Sequence, residues 1–190
     1  RISAYNIGAQ YSLSSGSSIG YSLQNGSGSD TNNFNATHQM VSGVWVITST
    51  TSLNAHVTAV EQRYSNTPQF NFSGTSGGLN VNWKTSGKTS LTVGWSRDLA
   101  SYPTINTTYT QTDTFSVGPA WQLSAKTSLR LQYSNALRVD QGDSTGTPSL
   151  REDRLESTSV AFTWEPRPFA ALTATLAESH RNTSLPNQDY

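Results

Sequence analysis

The side chains able to do chemistry are few and scattered. Three histidines, His38, His56 and His180, stand far apart, and the chain has no cysteine. Zinc sites draw their ligands from close, regular spacings of Cys, His and carboxylate, so no metal site is expected. Asp140, Asp143, Glu152 and Asp153 could supply the carboxylate pair of a glycoside hydrolase. They share their stretch with Arg138, Arg151 and Arg154, which reads as solvated loop charge rather than an acid and a base. Serine is abundant, but nothing marks one as a nucleophile oriented by histidine and acid. The residues point to a protein with no catalytic group, no metal and no cofactor, hence not an enzyme.

What remains are hydrogen-bonding groups at alternate positions: His56, Asn80, Asn82, Thr92, Arg130 and Gln132. Such groups suit a path for hydroxyl-rich solutes, because they donate and accept without a charged trap. Plain hydration of a polar wall would use the same residues. Arg63, Arg97, Arg138 and Arg181 recur beside loops. They read either as contacts to lipopolysaccharide phosphates or an anionic glycan, or as ordinary loop charge.

The alternation belongs to a repeat. Trp83-Lys-Thr-Ser-Gly-Lys-Thr-Ser-Leu91 is nearly restated by Trp121-Gln-Leu-Ser-Ala-Lys-Thr-Ser-Leu129, and again by Trp45-Val-Ile-Thr-Ser-Thr-Thr-Ser-Leu53. Tyr11–Ile19 and Trp164–Leu172 are looser copies. A recurrent period of this size marks one supersecondary unit used five times. Stepping by two from each aromatic finds apolar or small residues on both arms, as in Leu79, Val81, Leu91, Val93 and Trp95. The intervening positions are polar, as in Asn80, Asn82, Thr92 and Gly94. Strict period two means strand, with one apolar and one wet face. A short polar centre such as Ser86-Gly87-Lys88 is a tight turn, so each unit is a β-hairpin.

Ten strands are expected, at about Ile2–Leu13, Ser17–Gln24, Gln39–Ile47, Thr51–Gln62, Phe70–Thr85, Thr89–Trp95, Gln111–Leu123, Thr127–Leu137, Leu155–Trp164 and Phe169–Glu178. Gly74, Gly77 and Gly78, and separately Pro119, suggest bulges or breaks. Turns of about three residues then alternate with polar loops of about ten to eighteen, and strands of about nine to eleven residues would cross a bilayer when tilted. Ser179–Tyr190 reads as a polar tail.

The chain of 190 residues is 34% hydrophobic, with zero net charge and a mean hydropathy of −0.50. No apolar run reaches the roughly 18 residues of a membrane helix, and there is no electrostatic footprint for nucleic acid. The apolar face could be buried in a soluble sandwich or barrel. Three features favour lipid instead. Tyr11, Trp45, Trp83, Trp121 and Trp164 stand at one height beside the short turns, as an interfacial aromatic girdle does. The apolar columns carry no charge, while Lys84, Lys88, Lys126 and Arg167 keep to the turns. The wet face is Gly, Ser, Thr, Asn and Gln, with little Lys or Glu. With the short turns towards the periplasm, both ends of the ten-strand run lie at the outer surface. The expectation is therefore a window on a barrel of twelve or more strands.

Several stretches carry a family likeness. Ser96-Arg-Asp-Leu-Ala-Ser-Tyr102, Gly118-Pro-Ala-Trp-Gln-Leu-Ser-Ala-Lys-Thr-Ser-Leu-Arg-Leu-Gln-Tyr-Ser134, Arg151-Glu-Asp153, Thr163-Trp-Glu-Pro-Arg-Pro168, Arg181-Asn-Thr-Ser184 and Gln188-Asp-Tyr190 resemble the EpsL-type outer-membrane β-barrels of exosortase-associated exopolysaccharide loci. The resemblance is best over about Ser90–Tyr190. It implies a Gram-negative outer-membrane protein that helps to export a polysaccharide. The family pattern also implies a signal region ahead of Arg1 and terminal strands after Tyr190, which are expected to fall outside this window, so strand count and pore size stay open.

The expected fold is thus all-β: an antiparallel up-and-down transmembrane β-barrel segment over residues 1–190. Its hairpins fall at about 1–24, 39–62, 70–96, 109–137 and 155–178. The expected role is a conduit in exopolysaccharide export. Alternatives are a structural or adhesive envelope protein with ligand-binding loops, and a general diffusion porin. Expected partners are outer-membrane lipid and lipopolysaccharide, polysaccharide and periplasmic export components, with no nucleic acid.

Overall fold

A computed structural model describes residues 2–13, 15–29, 33–104, 107–142 and 151–184. The chain is all-β. Ten strands form one antiparallel sheet in sequence order: β1 (Ile2–Ser12), β2 (Ser18–Gly28), β3 (Phe34–Thr48), β4 (Thr51–Tyr64), β5 (Phe72–Lys84), β6 (Thr89–Thr104), β7 (Thr107–Ser124), β8 (Thr127–Gln141), β9 (Glu152–Arg167) and β10 (Ala170–Thr183). A single 3-10 turn, Pro68–Phe70, lies between β4 and β5. β1 and β10 do not pair, so the sheet is open at both edges rather than closed into a barrel.

Most strands outrun their sequence limits, reaching 18 residues in β7, while β1 and β5 stop slightly short of theirs. Strand extends into the stretches expected as long loops: β2 to Gly28, β3 from Phe34, β6 to Thr104, β7 from Thr107, β8 to Gln141 and β9 from Glu152. Arg97–Tyr102 and Ser179–Thr183, expected as loop and tail, are strand. The apolar pattern does end where the loops were placed, but a β-ladder needs only backbone groups. Threonine-rich runs such as Thr107–Thr114 have branched side chains that favour extended backbone without an apolar face. Asp143 and Gln188–Tyr190 lie outside the described residues.

The break expected at Pro119 is absent, and the one expected at Gly74, Gly77 and Gly78 shows on one side of β5 only, where the ladder to β6 ends at Gly77–Arg97. β7 keeps its register across Pro119, with Val117 opposite Tyr133 and Ala120 opposite Arg130. β4 and β5 pair without a shift from Gln62–Phe72 to Thr51–Trp83, straight past Gly74, Gly77 and Gly78. Register shifts fall beside short turns, between Val46 and Thr48, Gln122 and Ser124, and Ala170 and Leu172, and also at the far end of β6, between Ser101 and Thr104.

The aromatic anchors step regularly through the ladder. Tyr11 pairs with Ile19 and Ile19 with Gly43, two residues short of Trp45. Trp45 leads through Leu53 to Val81, two short of Trp83. Trp83 leads through Leu91 to Pro119, two short of Trp121, and Trp121 through Leu129 to Phe162, two short of Trp164. Each hairpin thus advances by two residues, or one per strand. With a rise near 3.4 Å and a strand spacing near 4.8 Å, a level line of anchors tilts the strands by about 35°.

Conventional core is nearly absent. Among the described residues the buried hydrophobics are Val60, Tyr64 and Phe72, and no large side chain is fully enclosed. The chain exposes 12331 Å², against about 8,900 Å² for a compact monomer of its mass. The excess is displayed on the apolar face: Trp45 is 62% exposed, Trp83 48% and Leu176 77%. Nothing among the described residues packs over that face.

The small core sits at the end of the sheet away from the short turns. β5 and β6 part company after Gly77–Arg97, yet β6 continues to Thr104 against β7. Phe72 stacks on Tyr109 with centroids 4.9 Å apart, and the Tyr64 hydroxyl bonds to Ser101 Oγ. Leu99 covers Gly74, where an added Cβ would lie 2.6 Å from Leu99 Cδ1. Gly74, Phe72 and Tyr64 share the parity of Asn80 and His56, whereas Leu99, Ser101 and Tyr109 share that of the apolar face. The tip of the β6–β7 hairpin therefore folds across the polar side of β4 and β5.

Candidate functional site

The polar face gathers the expected wall residues in neighbouring rows. His56 lies opposite Ser42 on β3 and Gly78 on β5. Asn80 lies between Asn54 and Gly94, and Asn82 between Ser52 and Thr92. Arg130 and Gln132 lie on β8, two to four strands away, opposite Ala161 and Ser159. The six residues share one face but not one cluster.

Glycines make room for the longer side chains. A Cβ on Gly78 would come within 2.8 Å of His56 Cε1, and one on Gly94 within 3.1 Å of Asn80 Nδ2. At Gly118 it would meet Gln132 Oε1 at 2.6 Å. The polar side chains therefore lie flat over bare backbone rather than standing into the space above it. Thr92 donates to Asn82 Oδ1 at 3.0 Å, leaving the Asn82 amide N–H groups turned elsewhere.

Two concavities open on this face. One, of 580 Å³, is lined by Gln10, Ser42, Asn54, His56, Asn80 and Ser116 among others, with no Asp, Glu, Lys or Arg. The other, of 690 Å³ at the short-turn end, includes Lys84, Lys88, Gln122, Ser128, Arg130 and Thr173. Lys84 was legible as an inner residue, since it continues the parity of Asn80 and Asn82.

At the opposite end the arginines are neutralised. Arg97 makes a two-point bond to Asp113, at 2.6 and 3.0 Å, and lies 5.8 Å from the Trp95 ring. Arg63 pairs with Glu61, and Arg138 lies 4.0 Å from Asp140. Asp153 ties β9 to β10 and to the residue just before β9: Arg151 and Arg181 reach it at 3.1 and 2.8 Å, and the Thr183 hydroxyl donates to it. The anion sites expected at Arg63, Arg97, Arg138 and Arg181 are thus each beside a carboxylate of the chain itself.

Of the carboxylates expected as loop charge, Asp140 and Asp153 take part in these pairs. Asp153 lies beyond the apolar band, seven residues before Val160. Burial raises its pKa, but the bonds from Thr183, Arg181 and Arg151 outweigh that and hold it below the usual aspartate range. A depressed folded pKa contributes stability above the unfolded pKa near 3.9, lost as pH falls through the folded value. Asp153→Asn should cost about 1–3 kcal/mol at neutral pH. It should also flatten the acid limb of a pH-dependent unfolding curve; a limb as steep as in the parent would disprove this role.

The described His, Asp and Glu form no group able to hold a metal ion. The girdle residues Tyr11, Trp45, Trp83 and Trp164 are exposed and Trp121 half-exposed, all on the face opposite Asn82. No family model, curated protein or solved structure matches the chain.

Proposed function

We propose that the chain forms wall of an outer-membrane β-barrel, apolar towards lipid and polar towards water, that conducts polysaccharide out of a Gram-negative cell. One observation carries the reading: a broad apolar face lies uncovered, opposite a face of hydroxyls and amides. Exposed apolar area on this scale marks a surface that meets another apolar phase. Two further features support lipid as that phase. The anchors advance one residue per strand, giving the tilt of closed barrels, and the short-turn end carries the aromatic belt. The resemblance to EpsL-type barrels and the uncharged concavity, suited to sugar hydroxyls, favour polysaccharide as cargo. Loop-borne adhesion is less supported, because Arg97–Thr104 and Thr107–Thr110, expected in a long loop, are strand.

The protein in planar bilayers should give discrete conductance steps, and deleting its gene should reduce secreted polysaccharide. No conductance counts against any pore. Conductance with normal secretion leaves a diffusion porin and removes export.

A further inference from the structure

The charges are sorted along the strands, although they sum to zero. All three lysines, Lys84, Lys88 and Lys126, lie at the short-turn end. The only described carboxylate there is Glu165; every other, from Glu61 to Glu178, belongs to the far part of its strand. Lys84, Lys88 and Arg130 line the 690 Å³ concavity, which has no acidic residue in its wall. Among the described residues none of the three has a carboxylate within ion-pair distance, unlike the paired arginines opposite.

We propose that this concavity binds the anionic groups (carboxylate, sulfate or phosphate) of a soluble glycan. The inference rests on the polar face being a glycan path and names the class of glycan. Arginine offers a planar fork to an oxyanion and lysine a mobile point charge. Ser128, Gln122 and Thr173 add neutral groups for hydroxyls. A cationic concavity beside low-dielectric walls concentrates anions before contact. A lipid headgroup is the weaker occupant. Lys84 and Arg130 take the parity of Asn82 and Gln132, while their neighbours Trp83, Leu129 and Leu131 take the apolar side.

The test is titration calorimetry of the protein in neutral detergent with dextran sulfate and with uncharged dextran of equal length. Dextran sulfate should bind at least tenfold more tightly, with affinity falling steeply as salt rises. The triple variant K84Q/K88Q/R130Q should lose at least tenfold. These side chains are exposed, so packing should survive. Arg63→Gln, removing a charge at the other end, should change affinity less than twofold. Equal binding of both polymers, or an unaltered triple variant, overturns the proposal. Binding only to vesicles rich in anionic lipid would assign the lysines to headgroups and overturn it too. Lost conductance with retained sulfate selectivity would sink the conduit but not this site; the converse would sink only this site.

Discussion

Val93→Arg will cost the membrane-inserted protein about 2–4 kcal/mol, while Thr92→Arg, one residue away, will cost under about 1 kcal/mol. Val93 lies between Val81 and Val117, and Tyr133 continues the row beyond Val117. A guanidinium there would sit in the apolar band without a counter-charge, far from either rim. Thr92 faces the other way, next to Asn82 and Gly118, where water solvates a cation. Urea unfolding of both variants in lipid vesicles separates three cases. A large cost at 93 alone is the lipid-facing result. Small costs at both would place the apolar face in water, where surface substitutions change little. A cost at 92 equal to that at 93 would mean that the polar face is packed and dry.

Phe72→Ala should release the folded tip of the β6–β7 hairpin. Phe72 is one of three buried hydrophobic side chains, and its ring stacks on Tyr109. Truncating such a ring costs about 3–5 kcal/mol where the site cannot collapse. Here the loss should stay local. Among the described residues the tip meets β4 and β5 through this stack, Leu99 over Gly74 and the Tyr64–Ser101 bond, and β7 also meets the 3-10 turn. Hydrogen exchange over residues 98–112 should speed up at least tenfold, with β8–β9 unchanged. Within a pore, conductance should rise, because the tip covers part of the polar face. Unchanged exchange in 98–112 would show that the tip is held by something else.

Much of the fold was legible because each hairpin states its own pairing. The aromatic opposite an aliphatic eight residues on is the observed pair in Tyr11–Ile19, Trp45–Leu53, Trp83–Leu91 and Trp121–Leu129. At Trp164–Leu172 the same pair survives a bulge. Strand ends were not legible, since polarity marks where the apolar face stops rather than where the ladder stops. Pro119 misled because proline leaves a gap in the hydrogen bonds without moving the register. The inward fold of β6–β7 had no local signal: Gly74 and Leu99 read as glycine and leucine anywhere, and only the divergence after Gly77 brings them together. The arginine partners were hidden likewise, since Arg97–Asp113 and Arg181–Asp153 span different strands.

The unpaired edges bear on width. At about 4.8 Å between strands and a tilt of about 35°, each strand takes up nearly 6 Å of circumference. A hoop of ten such strands would measure about 19 Å across its backbone. β1 and β10 do not pair; a closed ring that held these ten strands and others besides would enclose a bore wider than that.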